Sequence, residues 1–314
     1  MPTKINYIHT TGKCDITEYD DVDLPDINQN QILIRTLLCG ICRGDIYGYG
    51  GYEGIIPFLH QGHEGLGEVV QIGSNISDVN VGDLVATYAS DPAFATYFIS
   101  DKDRYVKVPE VLPKYILEPT ACSINIALKT IAAAKQLNGV SNPNILLLGS
   151  GFMSLVIGQY FKAANIPFDI VGRSNNPHWD KLGIQMKTIG DIKFIQYDAI
   201  IDLTSKTEVW DMIPELNILK PEGILCYAST PVNPVTTNFF QQSWNCYNII
   251  LPSPRNSDFY DVMKLTARLI MNNVIDPSDY WTHSYDRNNM TQVKQGFEDG
   301  LNRSPKYIRG YFVF

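Results

Sequence analysis

The feature that most constrains this chain is a continuous apolar run, Asn144-Ile145-Leu146-Leu147-Leu148, that ends directly on Gly149-Ser150-Gly151. A strand without polar alternation is buried on both faces, which places it inside a parallel sheet covered by helices. Residues 152–164 carry helical spacing, and a second strand is expected over 168–171. Strand, helix and strand in that order make one βαβ unit. Two glycines at the strand end let the backbone turn sharply and approach a pyrophosphate, which then caps the helix. Gly149, Ser150, Gly151, Phe152 and Met153 are therefore the candidate phosphate-binding residues. Ser154 stands where the three-glycine fingerprint has its last glycine, so strand and helix are expected to pack slightly further apart. An ordinary strand-to-helix turn is the plainer alternative.

The tip of the second strand bears on which dinucleotide fits. A carboxylate there hydrogen-bonds an adenosine ribose hydroxyl, whereas a basic residue suits a 2′-phosphate. The tip here reads Gly172-Arg173-Ser174, and Asp169 lies earlier, within the strand. Arg173 offers a planar fork and Ser174 a hydroxyl, which favours NADP(H) over NAD(H). A solvated loop charge is the bland reading of Arg173.

Upstream, the texture is β-rich. Short apolar runs at Ile32-Leu33-Ile34, Gly67-Glu68-Val69-Val70 and Asp83-Leu84-Val85-Ala86 are separated by Gly, Asn and Asp turn signals. Val81-Gly82-Asp83 reads as a tight turn feeding a strand, and the whole suits a small, partly open β-barrel. Near Leu117 the pattern changes to an alanine-rich helix over 122–137, stopped at Asn138-Gly139. Further strands are expected over 197–201, 223–227 and 248–250, with 220–223 as a turn. An amphipathic helix over 258–272 and a closing strand over 307–314 complete the chain. With 314 residues it is too long for one small core. We expect a catalytic domain over 1–122, a dinucleotide-binding domain over 123–254, and a return segment over 255–314 that completes the first.

Charge and cysteine usage exclude several classes. A net charge of −8 argues against a phosphate-backbone binder, so no nucleic-acid partner is expected. No apolar run reaches the roughly 18 residues of a spanning helix, and residues 1–10 lack the apolar core of a signal peptide. Six cysteines in a chain of this length are too few for a disulfide scaffold. The expectation is a cytoplasmic protein without a membrane partner.

Three separated segments carry residue types that zinc uses: Gly40-Ile41-Cys42-Arg43-Gly44-Asp45, Gly62-His63-Glu64-Gly65 and Leu117-Glu118-Pro119. The candidate ligands Cys42, His63 and Glu118 lie 21 and 55 residues apart, so spacing alone does not assemble a site. Cys39 and Cys42 also form a C-x-x-C, which reads as a redox pair or half of a structural zinc site, but no second cysteine pair completes it. Cys39 reads as a buried strand residue and His60 is set aside. Cys122, one helical turn after Glu118, is the alternative third ligand.

In order and intervening lengths these segments resemble the zinc-dependent medium-chain alcohol and polyol dehydrogenases, in the sorbitol-dehydrogenase-like branch. Val81-Gly82-Asp83, Ile201-Asp202-Leu203 and Lys306-Tyr307-Ile308-Arg309 extend the resemblance over nearly the whole chain. It implies an α/β fold, with a GroES-like β-barrel catalytic domain and a Rossmann doubly wound parallel-sheet domain. It implies one catalytic zinc on Cys42, His63 and Glu118, with Glu64 approaching the metal when substrate or water leaves. Asp45 would fix a ligand's orientation, and Arg43 and Arg309 would reach the cofactor pyrophosphate. It implies a hydride exchanged between NADP(H) and a small-molecule alcohol or carbonyl substrate, in a homodimer or homotetramer.

The chain also departs from that family. The lobe that carries a second, structural zinc is absent between Val85 and Val106. Gly44 replaces the Ser or Thr whose hydroxyl passes the substrate proton outward, and Tyr47 takes the place of an outer histidine. A phenol can donate a proton, so Tyr47 becomes the catalytic candidate. The glutamate ligand favours a polyol or sugar derivative. An apolar pocket of Tyr47, Tyr49, Tyr52 and Phe58 would favour a hydrophobic ketone or aldehyde. A non-catalytic nucleotide-binding protein on the same scaffold, or a zinc-independent reductase, is the rival reading.

Overall fold

The computed structural model describes residues 4–51, 62–88, 90, 92–173, 176–229, 237, 239–304 and 306–314. Tyr52, Phe58, His60 and Ser174 lie outside the described residues. In chain order the first elements are β1 (Lys4–Gly12), β2 (Asp15–Asp23), β3 (Gln31–Gly40), α1 (Arg43–Tyr49) and β4 (Glu64–Ile72). Next come β5 (Leu84–Thr87), β6 (Tyr97–Asp101), β7 (Tyr105–Lys107), α2 (Leu117–Asn138), β8 (Ile145–Leu148), α3 (Phe152–Ala163) and β9 (Phe168–Val171). After α4 (Pro177–Lys181) and α5 (Ile189–Ile192) follow β10 (Tyr197–Asp202), α6 (Glu208–Glu215), β11 (Leu219–Tyr227), α7 (Phe239–Trp244) and β12 (Asn248–Ile250). The chain closes with α8 (Phe259–Met271), β13 (Trp281–Asp286), α9 (Met290–Asn302) and β14 (Arg309–Val313).

Two compact units emerge. The first comprises Met1–Thr120, Tyr260–Met271 and Asp276–Phe314, and the second Ala121–Phe259 and Asn272–Ile275. In the first unit, strands run in the order β13-β14-β3-β4-β5-β7, with β6 also paired to β3. Its core is apolar and aromatic: Ile32, Ile34, Cys39, Val69, Phe94, Phe98, Phe297 and Phe312 are all fully buried. Such close packing of large side chains is what anchors the barrel against the cost of ordering its loops. Cys39 is thus the buried strand residue its sequence context suggests.

The second unit is a five-stranded parallel sheet in the order β12-β11-β10-β8-β9. Every residue of β8 is buried, as its apolar run requires. The chain goes from β8 outward to β9 and then returns to β10 on the other side of β8. That reversal creates a switch point beside the C-terminal end of β8, the place where open α/β sheets bind ligands. Helix α3 buries Phe152, Leu155, Val156 and Phe161. Gly158 on the same helix makes room for the fully buried Trp179, whose ring lies 2.5 Å from where a Cβ would stand. Gly139, with φ +68°, ends α2, donating its N–H to the Lys135 carbonyl at 3.1 Å.

Several elements differ from the sequence expectation. Helix α2 starts at Leu117, five residues before the alanine-rich stretch, so Glu118 lies in its first turn. Residues 220–223 are not a turn between elements but part of β11, where Glu222 at φ +62° makes an irregularity in the ladder. Helix α9 has no counterpart in the sequence reading. Its buried stripe is Val293, Gly296, Phe297 and Gly300, and two of those four are glycines that locally read as breakers. Among the described residues no helix is long and apolar enough to cross a membrane.

Candidate metal centre and nucleotide cradle

The first site forms where three strands meet. Antiparallel pairing of β3 and β4 sets Gly40 opposite Glu64, and β14 pairs along the other side, with Tyr311 opposite Gly40. The parallel register of β13 and β14 sets Trp281 beside Arg309. Residues 21 positions apart in sequence, Cys42 and His63, are joined because each directly flanks one end of the β3–β4 pair.

Cys42 begins α1 as its N-cap. Its Sγ accepts from the Gly44 N–H at 3.4 Å, and the Asp45 carboxylate accepts from the Cys42 N–H at 3.1 Å. This is a capping box built from cysteine and aspartate, and it fixes the thiol's direction. Among the described residues, donor atoms of Cys42, His63 and Glu64 lie within 4.8 Å of one another. His63 Nδ1 is 3.9 Å from Asp45 Oδ1, and its Nε2 is 4.0 Å from Glu64 Oε1. One ring nitrogen therefore faces an orienting carboxylate and the other faces the group's centre.

The charge balance of this group is one-sided. Asp45 and Glu64 are fully buried and Glu118 is 5% exposed, against the single guanidinium of Arg309. Arg309 pairs with Glu64 Oε1. Glu64 Oε2 and Asp45 Oδ1 are buried with no hydrogen-bond partner among the described residues. Gly40 makes space for this carboxylate, since a Cβ there would collide with Glu64 Oε2 and stand 3.1 Å from the Trp281 ring. Burial, reinforced by the nearby Glu64, pushes the Cys42 thiol up to about 12. Burial also raises Asp45 well above the usual carboxylate range. Burial lowers the Arg309 guanidinium, but Glu64 and Cys42 outweigh it and hold the net shift upward. Like charges about 4 Å apart repel by roughly 4 kcal/mol at an effective dielectric of 20, so ionising the set requires an added cation. Thiolate, imidazole and carboxylate are the donors that zinc takes, and these residues fit it.

The remaining sequence candidates divide. Glu118 is outside the group of three, yet its charge is felt at both Cys42 and Arg309. Cys122 lies on α2 within the second unit. Tyr47 is buried, with the Arg43 guanidinium 4.5 Å from its ring centre. Arg43 also donates to the Gly300 carbonyl at 2.6 Å. Arg309, expected by resemblance to reach a pyrophosphate, pairs with Glu64 and lies 5.4 Å from the Trp281 ring centre. Tyr49 is a core residue, stacked on Phe297 at 5.2 Å, and not a pocket wall.

The second site lies in the second unit, at the end of β8. Gly149 takes φ +109°, a left-handed turn that only glycine adopts without strain, and Gly151 is the N-cap of α3. Among the described residues, its chain neighbours aside, nothing lies within 4 Å of the place a Cβ on Gly151 would occupy. The open face and the first N–H groups of α3 suit an anionic group. Ser154 is buried, and its hydroxyl donates to the Gly149 carbonyl, tying the helix's first turn to the loop. Within β9, before its tip, Asp169 is already held by Lys187 at 2.8 Å and by the Tyr197 hydroxyl at 2.7 Å. Arg173 is exposed.

A family model, the alcohol dehydrogenase GroES-like domain, matches residues 28–110, which include β3 and β4 of the first site. Through those residues the chain carries an alcohol dehydrogenase GroES-like domain, and its relatives are alcohol and sorbitol dehydrogenases. An alcohol dehydrogenase of Geobacillus stearothermophilus is 25% identical over 176 residues, 46% of this chain and 51% of the relative. A sorbitol dehydrogenase of Halalkalibacterium halodurans is 24% identical over 247 residues, 69% of this chain and 66% of the relative. The chain thus aligns with about half to two thirds of the length of these curated family members. Among solved structures, the short chain alcohol dehydrogenase rspB of Escherichia coli CFT073, in complex with NADH, superposes with a TM-score of 0.80. That likeness covers 100% of both chains at 16% identity and establishes the shared fold.

At the first site, sequence reasoning missed Gly40 and Trp281. Gly40 is the first residue of the quoted Cys42 segment, but nothing local marks its need to be small. Trp281 reaches Arg309 only through strand register, for which the sequence carries no signal.

Proposed function

We propose that this chain is a zinc-dependent oxidoreductase that exchanges a hydride between NADP(H) and an alcohol or carbonyl substrate. The observation that carries this reading is the Cys42–His63–Glu64 group, half-buried at Cys42 and buried at the other two, among more carboxylates than Arg309 alone balances. Cys42 and His63 would hold the metal together with Glu64 or Glu118. Bound there, zinc would polarise a carbonyl or stabilise an alkoxide. Asp45 keeps the His63 ring oriented, and Arg309 engages one oxygen of Glu64 while leaving the other to the site. The dinucleotide would lie on Gly149, Ser150, Gly151, Phe152 and Met153. Arg173 would read the 2′-phosphate, since Asp169 is engaged elsewhere. The substrate is a polyol, a sugar derivative or a small ketone or aldehyde. Six free cysteines and a net charge of −8 suit a cytoplasmic enzyme, which we take to work as a homodimer or homotetramer.

The Arg309–Glu64 pair favours a second reading, a zinc-independent reductase in which the guanidinium supplies the positive charge. Metal analysis of the purified protein with NADPH and NADH titrations separates the two. The proposal expects about one zinc per chain. It also expects NADPH to bind about tenfold more tightly than NADH, a preference that Arg173→Ala erases. Failure to take up zinc in a protein that still binds nucleotide supports the second reading. An Arg173→Ala variant with the wild-type preference removes Arg173 from specificity.

Tyr47 is proposed as the proton carrier, in place of the hydroxyl that Gly44 lacks. Tyr47→Phe is expected to slow turnover about a hundredfold and flatten its pH profile, with zinc content unchanged. Wild-type turnover in that variant would assign the proton to water instead.

A further inference from the structure

The loop at the end of β8 is held from beneath by a residue that neither the motif nor the family likeness marks. The Ser150 carbonyl accepts two hydrogen bonds, from the Asn176 side-chain amide at 2.8 Å and from the Trp179 indole N–H at 3.3 Å. A trans peptide is planar, so its carbonyl and the following N–H point in opposite directions. Fixing the Ser150 carbonyl therefore aims the Gly151 N–H away from Asn176. The Asn176 amide has no freedom to turn over, because its oxygen accepts from the His178 N–H at 3.1 Å as the cap of α4. Gly172 completes the fit. A Cβ there would stand 2.6 Å from the Ser150 Cβ, so its absence lets the loop lie flush against the tip of β9.

We infer that Asn176 is a positioning residue for the dinucleotide, holding the Ser150–Gly151 peptide so that its N–H is presented to the pyrophosphate. This rests on the nucleotide reading above. It divides the recognition of one cofactor between two residues three positions apart. Arg173 chooses between the two dinucleotides, while Asn176 sets the affinity for the pyrophosphate that both share. Trp179, buried in the core, is the second and longer support of the same carbonyl.

The test is calorimetric titration of the full chain with NADPH, NADH and 2′-AMP, which has no pyrophosphate. Asn176→Asp keeps an oxygen to cap α4 but sets it against the Ser150 carbonyl oxygen, two acceptors face to face. It is expected to weaken NADPH and NADH by the same factor, about tenfold, and to leave 2′-AMP binding unchanged, with at most a small fall in melting temperature. Trp179→Phe, which keeps a ring in the core, is expected to weaken both dinucleotides by about threefold. Wild-type affinities in Asn176→Asp overturn the positioning role alone. Equal weakening of 2′-AMP, with a markedly lowered melting temperature, also overturns it and makes Asn176 a structural cap. Wild-type protein that binds neither dinucleotide overturns the nucleotide reading together with this inference.

Discussion

Replacing Cys42 with alanine is expected to give a folded protein that has lost its zinc and nearly all of its turnover. The thiol is one of three donors within 4.8 Å, and neither Gly44 nor Asp45 beside it offers a substitute sulfur. A site left with one imidazole and carboxylates holds zinc far less tightly, and losing the metal removes several kcal/mol of charge stabilisation. Each 1.4 kcal/mol is a factor of ten in rate, so a fall of about 10³-fold or more is expected. The fold should survive, because the thiol's structural part in α1 is a weak cap, 3.4 Å from the Gly44 N–H. Nucleotide affinity should be unchanged, since the glycine turn lies in the other unit. Metal analysis, turnover and NADPH titration of the variant check this. Full zinc and wild-type turnover would remove Cys42 from the chemistry.

Arg309→Leu should produce the largest loss of stability among these variants. Glu64 is fully buried, and Arg309 is the one cation paired with it among the described residues. Removing one partner of a buried pair leaves an uncompensated charge, at a cost of about 3–5 kcal/mol. Urea unfolding of metal-stripped protein measures it. Adding zinc should restore part of the loss, because a ligand that binds only the folded state stabilises it. The double variant with Glu64→Leu should also recover much of the loss, since two apolar groups have no charge left to bury. A loss below about 1 kcal/mol in Arg309→Leu, with no response to zinc, would show that the pair does not hold the site together.

What the sequence determined by itself is local. Residues 144–171 announced strand, glycine turn, helix and strand, because burial on both faces leaves an unbroken apolar run and the turn must be glycine at φ +109°. The helix cap at Cys42 and Asp45 was also written locally, three residues apart, although cysteine in the cap position disguised it. The donor types were legible at Cys42, His63 and Glu64, as was the barrel texture of residues 31–86.

Only the tertiary structure decided which of these groups meet. Strand pairing of Gly40 with Glu64 groups Glu64 with Cys42 and His63, a meeting that no local stretch announces. Arg309 is turned onto Glu64 because β14 lies against β3, a contact between residues 245 positions apart. Helix α9 stayed hidden because its packing face is half glycine, and a glycine's value there depends on the Tyr285 and Ile46 side chains that press on it. The Asn176 support of the phosphate turn was equally invisible, since it needs a side chain from beyond β9 to reach a carbonyl at the end of β8. In each case the deciding quantity is register or burial between distant segments, and no single stretch of chain encodes either.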